Sequence, residues 1–85
     1  MAPTRQDFTA ALSALLATAR TSAPFLDVRA GDLHRQVGGY PGHNHRMPVC
    51  CQAMRDLMQP NDQILSQPPK GNGASLTIRY GFSRT

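Results

Sequence analysis

Ser75 to Phe82 alternate without a break: Leu76, Ile78, Tyr80 and Phe82 take one set of positions, Thr77, Arg79 and Gly81 the other. A period of two puts successive side chains on opposite faces of a strand, so this strand has one apolar face. A slip of one residue would turn the whole apolar set to solvent, and the pattern therefore fixes which face is buried. Just upstream, Lys70-Gly71-Asn72-Gly73-Ala74 contains the turn pair Asn72-Gly73. Gln63 to Gln67 reads as a modest strand that Pro68-Pro69 ends. The chain thus carries a β-ribbon over about 62–82 with a basic, glycine-rich tip.

Most of what precedes the ribbon reads as helix. A first helix is predicted over about 5–20, with Thr4 as N-cap and Asp7 three residues on, a capping-box variant that also complements the helix dipole. Phe8, Leu12, Leu15, Leu16 and Ala19 recur at helical spacing as a packing face. Thr21-Ser22-Ala23-Pro24 breaks this helix, and Phe25 to Val28 is a short candidate strand. A second helix follows over about 30–37, with Asp32 in its first turn, Leu33 and Val37 on one face, and Gly38 as the left-handed residue at its end. Gly38-Gly39-Tyr40-Pro41-Gly42 is a dense turn segment.

A third helix starts near Met47, where Pro48 suits the first position. Stepping 100° per residue puts Val49, Cys50, Ala53, Met54 and Leu57 on a buried stripe. Cys51, Gln52, Arg55, Asp56 and Gln59 fall on the opposite, exposed arc. Pro60-Asn61-Asp62 is a turn, so the helix stops by Gln59.

Eighty-five residues, 40 % hydrophobic and 16 % charged, make one small globular domain over 1–85. No apolar run approaches the ~18 residues of a membrane span. The N-terminus lacks the basic and apolar regions of a signal peptide. Cys50 and Cys51 are neighbours, imply no disulfide framework, and fit a reducing cytoplasm. Net charge is +4, and from His43 onward five basic residues (Arg46, Arg55, Lys70, Arg79, Arg84) face two acidic ones (Asp56, Asp62). That imbalance favours a polyanionic partner.

The resulting order, α-β-α-α-β-β, is carried by AGDLHRQVGGYPGHNHRMPVCCQAMRDL followed by DQILSQPPKGNGASLTIRYGF. It resembles a winged helix-turn-helix domain of the small bacterial or phage type, an α+β fold of three helices with a small antiparallel β-sheet. The helix-turn-helix would span about 30–59. The resemblance implies a protein that binds double-stranded DNA, with the third helix in the major groove and the ribbon tip as a wing. It covers nearly the whole chain. The corner from Gly38 to Arg46 is longer than the usual three- or four-residue turn.

On that reading the DNA-binding residues come from three segments. Asn44, His45 and Arg46 precede the third helix, where backbone N–H groups and a guanidinium can meet phosphates and Asn or Arg can read base edges. Gln52, Arg55 and Gln59 lie on its exposed arc with the reach for bases or phosphates. Lys70 and Asn72 form the wing tip, and Arg79 points off the apolar face of the last strand. The bland readings are a polar loop, a solvated helix face and a hairpin that needs glycine. Arg5, on the first helix, is expected to matter little.

Other chemistries find less support. His43, His45 and Cys50 or Cys51 do not have zinc-site spacing, and no metal or other cofactor is expected. The contiguous His43-Asn44-His45 is not the nuclease motif spelled by the same letters. No nucleophile has an orienting partner and carboxylates are few, so the chain does not read as an enzyme. The expected function is DNA binding in the cytoplasm, as a transcriptional regulator or a DNA-targeting module, with a homodimer or a larger protein assembly compatible and no membrane association. The alternative is a winged helix that binds proteins and not DNA, through the first helix or the wing.

Overall fold

The structure is a computed structural model and describes residues 3–38, 46–69 and 71–82. Its elements follow in the order α1 (Arg5–Arg20), β1 (Phe25–Arg29), α2 (Ala30–Val37), α3 (Met47–Asp56), β2 (Gln63–Ser66) and β3 (Thr77–Gly81). The result is a small α+β domain: three helices packed on a three-stranded antiparallel sheet. Among the described residues no helix is long and apolar enough to cross a membrane.

The start of α1 is set by its capping box. Thr4 Oγ1 accepts from the Asp7 N–H at 3.2 Å, and the Asp7 carboxylate accepts from the Thr4 N–H at 2.8 Å. Two of the orphan donors of the first turn are satisfied in this way. Phe8 and Leu12 are fully buried, while Leu15 and Leu16 pack half-buried at the edge of the core. Each large side chain taken fully out of water stabilises the fold by roughly 1.5–3 kcal/mol.

Strand order in the sheet is β1-β3-β2, so the alternating strand lies in the middle. Val28 pairs with Ile78 and Leu26 with Tyr80 on one side; Ile64 pairs with Ile78 on the other, with an irregularity between Ile64 and Ser66. Leu76, Ile78 and Tyr80 are buried, and Arg79 lies on the outer face, as the alternation requires. Phe82 is half-buried, with the Arg20 guanidinium 5.5 Å from its ring centre. The Tyr80 hydroxyl donates to the Met54 carbonyl at 2.8 Å and so fastens the sheet to α3. Burial pushes that phenol's pKa up.

Helix α2 has no side-chain N-cap. Its first two N–H groups donate instead to the carbonyls of Leu76 (from Ala30, 2.8 Å) and Ala74 (from Gly31, 3.0 Å). The approach is close: a Cβ on Gly31 would lie 3.1 Å from the Ala74 Cβ. The helix ends at Gly38, whose φ of 116° favours glycine.

The β2–β3 connection differs from the hairpin that Asn72-Gly73 predicts. Positive φ falls at Gly71 (86°), and two turns follow one another: the Gly71 N–H donates to Pro68 O at 2.8 Å and the Leu76 N–H to Gly73 O at 3.2 Å. Pro68 and Pro69 stop strand pairing early, so the connection folds back over α3 and β3 starts at Thr77. This corrects the position of Cys51. The helical period put it on the exposed arc, yet it is fully buried, as is Cys50. Gly73 covers it: the Cys51 thiol contacts Gly73 O at 3.5 Å and the Gly73 N–H at 3.4 Å.

Candidate nucleic-acid interface

The exposed side of α3, its N-terminal approach and the β2–β3 connection bring several of the nominated residues together. Arg46 is the N-cap residue of α3 and is exposed. Its backbone N–H donates to His34 Nε2 at 2.7 Å, tying the start of α3 to the buried end of α2. His34 is fully buried and meets Phe8 edge-on, with ring centres 4.8 Å apart.

One turn further, the Gln52 amide donates to Asp56 Oδ1 at 2.9 Å. Arg5, from the first turn of α1, pairs with Asp56 Oδ2. The Gln52 hydrogen bond, aided by Arg5 and opposed by partial burial, holds the Asp56 carboxyl below the usual carboxylate value. The one acid on this face of α3 is therefore neutralised locally. Arg5, expected to matter little, lies on the same surface. Only the packing of α1 across α3 puts it there, and no local signal in the sequence announces that packing.

Arg55 is half-buried and bridges α3 to the connection. Its Nη1 donates to Asn72 Oδ1 at 2.5 Å and its Nη2 to the Gly71 carbonyl. Arg55 and Cys51 together hold residues 71–73 against the helix. Burial raises the Cys51 thiol pKa, with the Gly73 N–H and the Arg55 charge working against the shift.

Between these elements lies an open cleft of about 550 Å³ lined by Pro3, Thr4, Arg5, Arg46, Pro48, Val49, Gln52 and Asn72. Three nominated residues, Arg46, Gln52 and Asn72, line it, and Arg55 braces one wall through Asn72.

Two nominated residues lie elsewhere. Gln59 falls beyond the end of α3. Its backbone N–H donates to Asp62 Oδ2 at 2.8 Å, and it faces a second cleft of about 400 Å³ with Leu16, Arg20 and Phe82. Arg79 lies on the outer face of the sheet, bound to Asp27 through two hydrogen bonds of 2.8 and 3.0 Å and stacked 4.1 Å from the Phe25 ring centre. Asn44, His45 and Lys70 lie outside the described residues, as does His43. Among the described residues, no three His, Cys, Asp or Glu side chains gather as a metal site. Comparison of the chain with protein-family models, with curated proteins and with solved structures finds no match.

Proposed function

We propose that this chain is a winged helix-turn-helix DNA-binding protein, in which α3 meets duplex DNA and the β2–β3 connection is the wing. It acts as a small regulator or as the DNA-targeting part of a larger assembly. The observation that carries this reading is the Arg55 bridge: helix and connection are hydrogen-bonded to each other and present one surface with Arg5, Arg46, Gln52 and Asn72. The element order, the β1-β3-β2 sheet and the net charge of +4 support it. A cytoplasmic setting belongs to the same reading, supported by two free thiols kept in the core.

Titration of a fluorescent random duplex at several salt concentrations tests it. Each phosphate neutralised contributes ~0.9 to the slope of log affinity on log salt, so a surface with Arg5 and Arg46 gives a slope of about 2 or more. Salt-independent binding, or none, overturns the proposal. A second reading, protein binding, is favoured by one observation. All four residues of edge strand β2 are exposed, with Ile64 at 39 % and Leu65 at 44 %, and Phe25 is 41 % exposed on the outer face. Open edges of this kind accept another strand.

A further inference from the structure

We infer that the cleft between the first turn of α1 and the start of α3 holds a sugar-phosphate unit, its phosphate set between Arg5 and Arg46. The inference rests on the DNA-binding reading, under which that unit belongs to the duplex backbone.

The polar groups around the cleft are mainly donors. Arg46 makes no hydrogen bond or ion pair through its side chain among the described residues. Arg5 uses one of its terminal nitrogens on Asp56 and keeps further N–H groups in the fork that suits phosphate oxygens. Asn72 Oδ1 is taken by Arg55, which leaves its NH₂ end to donate. Thr4 Oγ1 already accepts from the Asp7 N–H, so its own proton is left to give. Among the described residues no acid lines the cleft. The nearest acid on α3, Asp56, is occupied by Gln52 and Arg5. An acceptor-rich anion fits this set.

Size and apolar lining narrow the class. A volume of about 550 Å³ lies within the range of ligand sites and exceeds what a bare phosphate fills. Pro3, Pro48 and Val49 supply an apolar floor on which a deoxyribose ring can rest. Arg55 contributes here as a positioning residue: it turns Asn72 so that the donor end is free.

The test combines duplex binding with a small-molecule probe. Salt-dependent titration of a random duplex is compared for the parent and for Arg5→Ala, Arg46→Ala and Arg5→Lys. Both alanine variants should lower the slope by ~0.9, and Arg5→Lys should restore it, since a lysine also neutralises a phosphate. Adding Asp56→Asn to Arg5→Ala separates contact from repulsion. If Arg5 acts only by masking Asp56, the double variant recovers the parent slope; if it meets phosphate, the slope stays low. In parallel, backbone amide shifts of the parent are followed with a deoxynucleoside 3′,5′-bisphosphate and with inorganic phosphate. The bisphosphate should move Thr4, Arg5, Arg46 and Gln52, and move them further than phosphate does. A parent that binds duplex, with slopes unchanged in both alanine variants, overturns the cleft assignment and leaves DNA binding standing. A parent that ignores duplex yet binds bisphosphate through Arg5 and Arg46 supports the cleft and overturns the duplex as its source. A parent that binds neither overturns both.

Discussion

Arg55 donates to Asn72 Oδ1 across 2.5 Å, and with its second bond to Gly71 it joins the last turn of α3 to the β2–β3 connection. These are charge-assisted hydrogen bonds to neutral acceptors, the stronger kind. In Arg55→Ala the connection should lose its anchor while the core stays intact. The expected outcome is faster amide hydrogen exchange over residues 71–73 and a stability loss of about 1–3 kcal/mol. Exchange rates equal to the parent's would show that something else holds the connection. Under the DNA reading, binding of all duplexes weakens together, because the residue shapes the surface.

The buried thiols give a second expectation. Cys50 and Cys51 are both inaccessible, so in the native state neither should react quickly with a disulfide reagent. Cys51 is covered by Gly73, whereas Cys50 sits under α2 with its Sγ 3.5 Å from Ala30 O. Arg55→Ala should therefore speed the labelling of Cys51 and leave Cys50 slow. Mass spectrometry of labelled peptides reads the two separately; equal acceleration would mean that the whole helix is loosened.

Stability should fall in alkali. Burial, with the neighbouring Cys51 second, pushes the Cys50 thiol from 9.0 up to about 12. In the unfolded chain the thiol ionises near its ordinary value, while the folded protein keeps the proton. The unfolded state thus binds fewer protons above pH 9, and stability declines as pH rises from there toward the folded value, by about 1.4 kcal/mol per pH unit for this one group. Urea midpoints between pH 8 and 11 measure the decline, and Cys50→Ala should make it shallower while the buried Cys51 thiol and Tyr80 phenol keep part of it, even though the variant starts less stable.

Arg79 and Asp27 provide an acid-side test and a binding control. The Arg79 hydrogen bond holds the Asp27 carboxyl below its ordinary 3.8. A lowered carboxyl contributes stability above the unfolded value and loses it as pH falls through the folded one. Carboxyl titration by NMR should give Asp27 a midpoint below 3.8 that returns toward 3.8 in Arg79→Ala. Because this pair lies on the outer face of the sheet, the same variant should leave the salt slope of duplex binding unchanged. A reduced slope would put the sheet face in the DNA surface.

What could be read from the sequence was local. Thr4 and Asp7 mark the first residue of α1 because a cap acts within one turn. Leu76, Ile78 and Tyr80 declare their face because a strand's period is short and strict. Most of the misses depend on contacts between distant segments. Cys51 is buried by Gly73, and a helical wheel records only the helix it is drawn on. Arg5 reaches the α3 surface through the crossing of α1 over α3. Gln59 left the expected arc because the helix ends at Asp56 and the chain turns to bring Asp62 under its N–H. The Asp27–Arg79 pair had a signal, opposite charges on two candidate strands, but the register that makes them neighbours exists only once β1 and β3 align.

The backbone cap on α2 also bears on how the chain comes to be folded. A helix of eight residues is too short to persist alone in water, and the groups that complete its first turn, Ala74 and Leu76, are synthesised long after it. During translation α2 should stay unfinished until β3 has left the ribosome. Closing that long loop is the slow kind of step that non-local contacts impose. A nascent chain stopped before Ala74 should therefore lack both the final strand and a stable second helix, and the native state should appear in one late, cooperative event.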